Sequence, residues 1–159
     1  MELGLDAVRA RVAGARTVAV LGANVDPSRP AHYVPAALHA AGLTVLPVNA
    51  RFAGQQLFGR TIVARLDELR VPVDIVDVFR VPQMLAGHLA EIAAMAPRPG
   101  LVWLQSGIRS DGFVHDLAAH GIDVVQDRCL MVDHRAWGWS ASQGSGGGPG
   151  THGAPGTRH

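Results

Sequence analysis

Lysine is missing altogether: every one of the 14 basic residues is Arg, set against 13 acidic residues for a net charge of +1. A Walker-type G-x-x-x-x-G-K-[ST] loop is thereby excluded, and any phosphate contact has to be made by guanidinium groups, with their planar, bidentate geometry. A pI near 8.1 without a basic stripe argues against a nucleic-acid partner. The single cysteine, Cys129, has no partner for an internal disulfide, so nothing points to an oxidising compartment. Aromatic residues make up only 5% of the chain against 48% hydrophobic, which implies an aliphatic core of helices on a sheet. The eight histidines lack H-x-x-x-H or Cys-flanked spacing, so no metal site is expected. No Ser occupies a G-x-S-x-G elbow, and His115 reads as a solvated helix residue.

Membrane and export signals are also lacking. Met1 to Arg11 has no basic region followed by an apolar run, so no signal peptide is expected and the location implied is cytoplasmic. The uncharged stretch Pro30 to Ala50 has about the length of a membrane span, but Pro35, Gly42, Pro47 and two histidines interrupt it. It divides instead into a helix, a Gly stop and a short strand.

What is there centres on Thr17 to Arg29, T-V-A-V-L-G-A-N-V-D-P-S-R. Thr17 to Leu21 suit a strand buried on both faces, and Gly22 ends it. Ser28 as N-cap and Pro30 in the first turn announce a helix. A strand, a Gly turn and a helix start aim backbone amides and a helix dipole at one point, where Arg29 adds a fixed charge.

Along the chain, Leu5, Val8 and Val12 share one face of a leading helix over Leu3 to Gly14. Val34, Ala37, Leu38 and Ala41 mark a crossover helix stopped by Gly42, with Pro35 delaying its start. Leu43 to Val48 is the second strand, and Arg51 to Leu69 an irregular connection with a short helical signal at its end. Val73 to Phe79 forms the third strand, with Asp74 and Asp77 expected near its ends or at an edge. Pro82 opens a helix carrying Leu85, Leu89, Ile92 and Ala96. Leu101 to Leu104 is the fourth strand, and Ser110 or Asp111 caps a helix with Val114, Leu117 and Ala118 inward. Ile122 to Val125 is the fifth strand, and Arg128 to Trp139 contains a closing helix. The Gly, Ser and Pro density from Ser140 onward predicts a disordered tail over 140–159, leaving 1–139 as the folded domain.

Five strands alternating with helices predict an α/β doubly wound parallel sheet with helices on both faces, whose ligand sits beyond the carboxyl ends of the strands. Polar residues cluster at that edge: Gly22 to Arg29, Asn49 with Arg51, Arg80, and Gln105 to Arg109. The G-x-G-x-x-G fingerprint and the acidic residue closing the second strand are both missing. Arg51 in that place favours a phosphorylated ribose, which both NADP and coenzyme A carry.

Five spaced motifs, G-A-N-x-D-P-S-R-P, L-P-V-N, V-D-I-V-D-V-F-R, V-W-L-Q-S-G-I and D-R-C-L, resemble those of the small stand-alone CoA-binding proteins. That family is similar to the amino-terminal CoA-binding domain of the succinyl-CoA synthetase α subunit. The resemblance runs from about Thr17 to Asp133 and implies a Rossmann-like domain that binds coenzyme A. Carried over by residue, it implies that Gly22, Ala23, Asn24 and Arg29 hold phosphates through backbone and guanidinium. Pro47, Val48, Asn49 and Arg51 would line the nucleotide side, Val78 and Arg80 the adenine and its neighbours, and Gln105 and Gly107 the pantetheine exit. Ala50 departs from the family, which has Pro after the Asn.

The synthetase is phosphorylated on a histidine of a second domain and works with a nucleotide-binding partner subunit; the chain in hand carries no such domain. The expectation is a non-catalytic binder of coenzyme A or an acyl-CoA, a small-molecule partner, with protein partners unspecified. An NADP-type dinucleotide binder or redox sensor is the alternative, and an acyl-CoA ligase subunit the third reading. Cys129 is expected at the ligand edge as a small buried hydrophobe, alkylated slowly and with little influence of CoA. Its functional alternative is a mixed disulfide with the CoA thiol, favoured by Arg128 and the start of the closing helix.

Overall fold

The computed structural model describes residues 1–139. Its centre is a parallel sheet of β1 (Thr17–Leu21), β2 (Thr44–Val48), β5 (Ile75–Val78), β6 (Leu101–Leu104) and β7 (Val124–Val125), ordered β2-β1-β5-β6-β7. A two-stranded hairpin, β3 (Gln56–Leu57) and β4 (Arg60–Thr61), stands apart from it. Numbering the main strands by chain order gives 2-1-3-4-5, the flavodoxin-like variant of the doubly wound plan. The order reverses between β1 and β5, where such sheets open a crevice. Helices cover both faces, as the strand and helix alternation predicts.

One face packs Val18, Val20, Ile75, Leu101 and Trp103 against α1 (Leu5–Val12), α2 (Pro30–Ala40) and α6 (Leu130–Trp137). The other packs Ala19, Leu21, Val76, Val78, Val102 and Leu104 against α3 (Pro82–Leu85), α4 (Leu89–Ala93) and α5 (Asp111–Ala118). The strict alternation of strand side chains divides β1 and β5 between these two layers. Leu38, Leu85, Ile92 and Leu117 are buried as their helical spacing requires. Leu5 and Ala118 are exposed instead, and Phe113 takes the inward place on α5. Ala96 falls beyond α4 and is exposed, while Met95 is buried.

Hydrogen bonding corrects two local expectations and bears out a third. Pro35 does not delay α2, which runs through it from Pro30; the carbonyl of Ala31, which Pro35 has no N–H to reach, accepts the amide of Asn24 at 3.2 Å. Ser28 is not the N-cap, which is Arg29; the Ser28 amide and hydroxyl both donate to Asp26 Oδ1, at 2.9 and 2.8 Å. Ser110 does cap α5, its Oγ accepting the amide of Phe113 at 3.2 Å.

Asp74 ends its strand as expected, its Oδ2 accepting the amides of Arg16 and Thr17 at 2.8 and 2.9 Å. Asp77 does not: it lies within β5, a central strand, is fully buried, and neither carboxyl oxygen has a hydrogen-bond partner among the described residues. Pro47 stays inside β2, tolerable because β2 is the sheet's edge strand. Beyond it, the amide of Val63 reaches the Pro47 carbonyl at 3.2 Å and that of Asn49 reaches the Val63 carbonyl at 2.9 Å. The irregular connection is thereby tied to the sheet. Among the described residues no helix is long and apolar enough to cross a membrane. The expected tail, 140–159, lies outside the described residues.

Candidate functional site

At the carboxyl edge of the sheet, over the β1/β5 reversal, the ends of β1, β2, β5 and β6 enclose a cavity of about 610 Å³. Gly22, Asn49, Arg80 and Gln105 contribute to its wall, each just past a strand, and Asn24, Arg29, Arg51 and Gly107 complete the polar part. Tyr33, Val34, Phe52, Phe79, Val81, Pro82, Ile108 and Met131 supply an apolar part. Among the described residues three guanidinium groups and no carboxylate line it.

The electrostatics of those guanidinium groups differ. Arg29 is exposed and its Nε stands 3.9 Å from Asp26 Oδ2, a loose pair that screening leaves weak. The Ser28 amide and hydroxyl hold the Asp26 carboxyl below its usual range, so it stays charged. Arg51 lies over the ring of its neighbour Phe52, 5.0 Å from the centroid, an arrangement that fixes its direction without neutralising it. Among the described residues Arg80 has a single long bond, Nη2 to Asn49 Oδ1 at 3.5 Å, and its buried Nε has no partner. A cavity built this way has the chemistry to accommodate an anion with flat and aliphatic portions.

Asn49 holds the wall together. It is buried, donates from Nδ2 to the Ala23 carbonyl at 2.9 Å and accepts the Arg51 amide on Oδ1 at 2.9 Å. The first loop and the start of the β2 exit are thus joined through one side chain.

A model of the CoA binding domain family matches residues 16–135. The chain belongs to that family. This CoA-binding domain is 32% identical over 120 residues to the uncharacterized protein YneT of Bacillus subtilis (strain 168), covering 75% of this chain and 85% of that one. It superimposes on the structure of cell-free ID.343 from Thermus thermophilus with a TM-score of 0.79 at 56% identity, covering 85% of this chain and 99% of that one. An acetyl-coenzyme A synthetase of Ca. Korarchaeum cryptofilum shares the fold at a TM-score of 0.63 and 18% identity, over 74% of this chain and 26% of that one.

Eight of the twelve residues expected at the site of this CoA-binding domain line the cavity: Gly22, Asn24, Arg29, Asn49, Arg51, Arg80, Gln105 and Gly107. Ala23, Val48 and Val78 do not, since all three are fully buried between strand and helix layers. Pro47 faces a different hollow, beneath the hairpin with Gln56, Arg60 and Thr61. The reason is geometric. Side chains within a strand, such as Pro47, Val48 and Val78, point to one face of the sheet or the other and not into the crevice, while Ala23, past the end of β1, packs into the core with Val20 and Leu38.

The expected backbone cradle is corrected too. The amides of Gly22 and Ala23 both reach the Val48 carbonyl, at 2.8 and 3.3 Å, and that of Asn24 reaches Ala31. Gly107 donates its amide to Asp127 Oδ1 at 2.7 Å. From Gly22 to Ala31, the amides of Val25 and Ala31 are the two N–H groups with no partner among the described residues. The loop therefore offers few free amides to the cavity, and the positive charge there is that of the arginines.

Sequence reasoning missed the apolar wall; it put Cys129 at this edge, where it lies, but as a buried side chain, whereas it is partly exposed and lines the cavity with Met131. The signal for Phe52, Phe79 and Val81 was present in their adjacency to Arg51 and Arg80. Tyr33 and Met131 carry no comparable signal, because the helices that bring them to the edge are oriented by tertiary packing.

Proposed function

We propose that this chain is a non-catalytic module that holds coenzyme A or an acyl-CoA in the cavity at the β1/β5 reversal. The observation that carries the reading is the convergence of Arg29, Arg51 and Arg80, without a carboxylate, on a cavity with an apolar wall. Coenzyme A presents a pyrophosphate and a ribose phosphate to guanidinium groups, an adenine to flat apolar side chains and an uncharged pantetheine arm to the rest. Membership of the family supports the ligand class. The non-catalytic reading draws on the lining: among the described residues it has neither carboxylate nor imidazole to move a proton. The lone cysteine, which has no partner for an internal disulfide, favours a cytoplasmic setting.

An NADP-type dinucleotide is the second reading, favoured by Arg51 past the end of β2, where a ribose phosphate of either ligand is met. Calorimetric titration with CoA, dephospho-CoA, NADP and NAD separates the two. Binding of CoA and no heat with NAD is the expected result; saturable NADP binding without CoA heat overturns the proposal.

A further inference from the structure

Cys129 lines the same cavity as the three arginines, with its side chain half-exposed. It is the N-cap residue of α6, yet its side chain makes no capping bond. The neighbouring Arg128 is engaged elsewhere: its Nε and Nη2 donate to the two carboxylate oxygens of Asp133 at 2.6 and 2.8 Å. Among the described residues no capping bond engages the thiol, and Cys129 is accessible from the cavity.

A second, independent observation comes from Gln105. Only 4% of this residue is exposed, and its Oε1 accepts the amide of Leu130 at 3.0 Å, which pins the start of α6 to the end of β6. Its Nε2 has no hydrogen-bond partner among the described residues, although the side chain lines the cavity beside Cys129. The Nε2 group is thus free to donate into the cavity, where an acceptor on a bound molecule can meet it. The ligand arm that fits both groups carries amide carbonyls and ends in sulfur. Pantetheine has that chemistry.

We propose that Cys129 is a site of thiol–disulfide exchange with the bound ligand. This rests on the reading of the cavity as a coenzyme A site, and the oxidised co-reactant is a disulfide of coenzyme A. The Cys129 thiolate attacks the sulfur of the seated CoA moiety; the Sγ–S bond forms as the S–S bond between the two CoA halves breaks. The second CoA leaves as a thiolate and takes up the proton that Cys129 lost. The disulfide itself supplies the oxidising equivalents, so no further oxidant enters. The product is a protein that carries its own ligand covalently, with the site closed to exchange until a reductant releases it.

The test compares full-length protein and Cys129→Ser, each treated at neutral pH with CoA disulfide or with glutathione disulfide and followed by intact mass spectrometry. Reduced CoA is titrated calorimetrically into both proteins. The expected result is one adduct on the unmodified protein, of the mass of one CoA less two hydrogens, and none on Cys129→Ser. It forms at least about tenfold faster than the glutathione adduct, because binding places the sulfur at the thiol. A thiol-free thioether of CoA blocks it and a dithiol reductant removes it. Modification no faster with CoA disulfide than with glutathione disulfide, while CoA heat is retained, overturns the exchange site and leaves the CoA reading standing. Absence of CoA heat in both proteins overturns the CoA reading itself.

Discussion

A Cβ on Gly22 would stand 2.5 Å from the carbonyl oxygen of Phe79. The two residues follow β1 and β5, the strands between which the sheet order reverses, and their close approach sets the floor of the cavity. Gly22 also has a φ of +92°, which side-chain-bearing residues rarely adopt. Gly22→Ala therefore combines backbone strain with a clash and is expected to destabilise the fold by at least about 2 kcal/mol. Urea unfolding measures it; a change within about 0.5 kcal/mol would show that Phe79 yields.

The arginines are the main source of binding energy in the proposed function. Arg29→Ala and Arg80→Ala are each expected to weaken CoA binding by about 1.5–3 kcal/mol, the worth of a hydrogen bond to a charged group. That is roughly ten- to a hundredfold in the dissociation constant read by calorimetry. Unchanged affinity in both, with circular dichroism intact, places the ligand elsewhere. Arg51→Ala is expected to weaken CoA more than dephospho-CoA, and equal losses would remove the ribose phosphate from its role.

Asn49→Ala leaves the carbonyl of the fully buried Ala23 unpaired and frees the amide of Arg51. Stability is expected to fall by about 1–3 kcal/mol, the usual penalty for a buried group stripped of its partner. CoA affinity should fall with it, because Arg51 and Arg80 both touch Asn49. A loss of affinity at unchanged stability, seen by pairing calorimetry with urea unfolding, would make Asn49 a direct ligand contact instead of a brace.

Asp77 faces Val20 and Trp103 across the sheet ladder, and burial pushes its carboxyl well above the usual carboxylate range. The native state then keeps a proton that the unfolded chain releases near pH 3.9, so the group's contribution is full below that pH. It is lost progressively as pH rises from there through the folded value. Asp77→Val, close in volume and apolar, is expected to stabilise the fold at neutral pH by about 1–3 kcal/mol. That raises Tm by about 2–4 °C for each kcal/mol, with a smaller gain at pH 4. A lower Tm at neutral pH would mean that the carboxylate has a stabilising partner.

The sequence by itself determined the strand and helix alternation, the polar edge of the sheet and the arginine character of the cavity there. These follow from hydrophobic period, from Gly22 and Gly42 as breaks, and from which residue types come after each apolar run. Leu101–Leu104 is set by local chemistry and was legible to the residue, and the cap of α5 was legible to within Ser110 or Asp111. Gln105 and Arg80 were equally visible, as the first polar residues past buried strands.

What only the tertiary structure decided depends on contacts between segments far apart in the chain. The first-loop amides turn away from the cavity because Val48 and Ala31 offer them carbonyls, which no reading of Gly22 to Asn24 alone reveals. Asp77 is buried because β5 lies between β1 and β6, and strand order is a property of the whole sheet. Cys129 reaches the cavity because Gln105, 25 residues before Leu130, accepts the Leu130 amide and anchors the first turn of α6. Periodicity assigns a residue to a face; which carbonyl, helix or cavity lies opposite that face is settled only when the layers close.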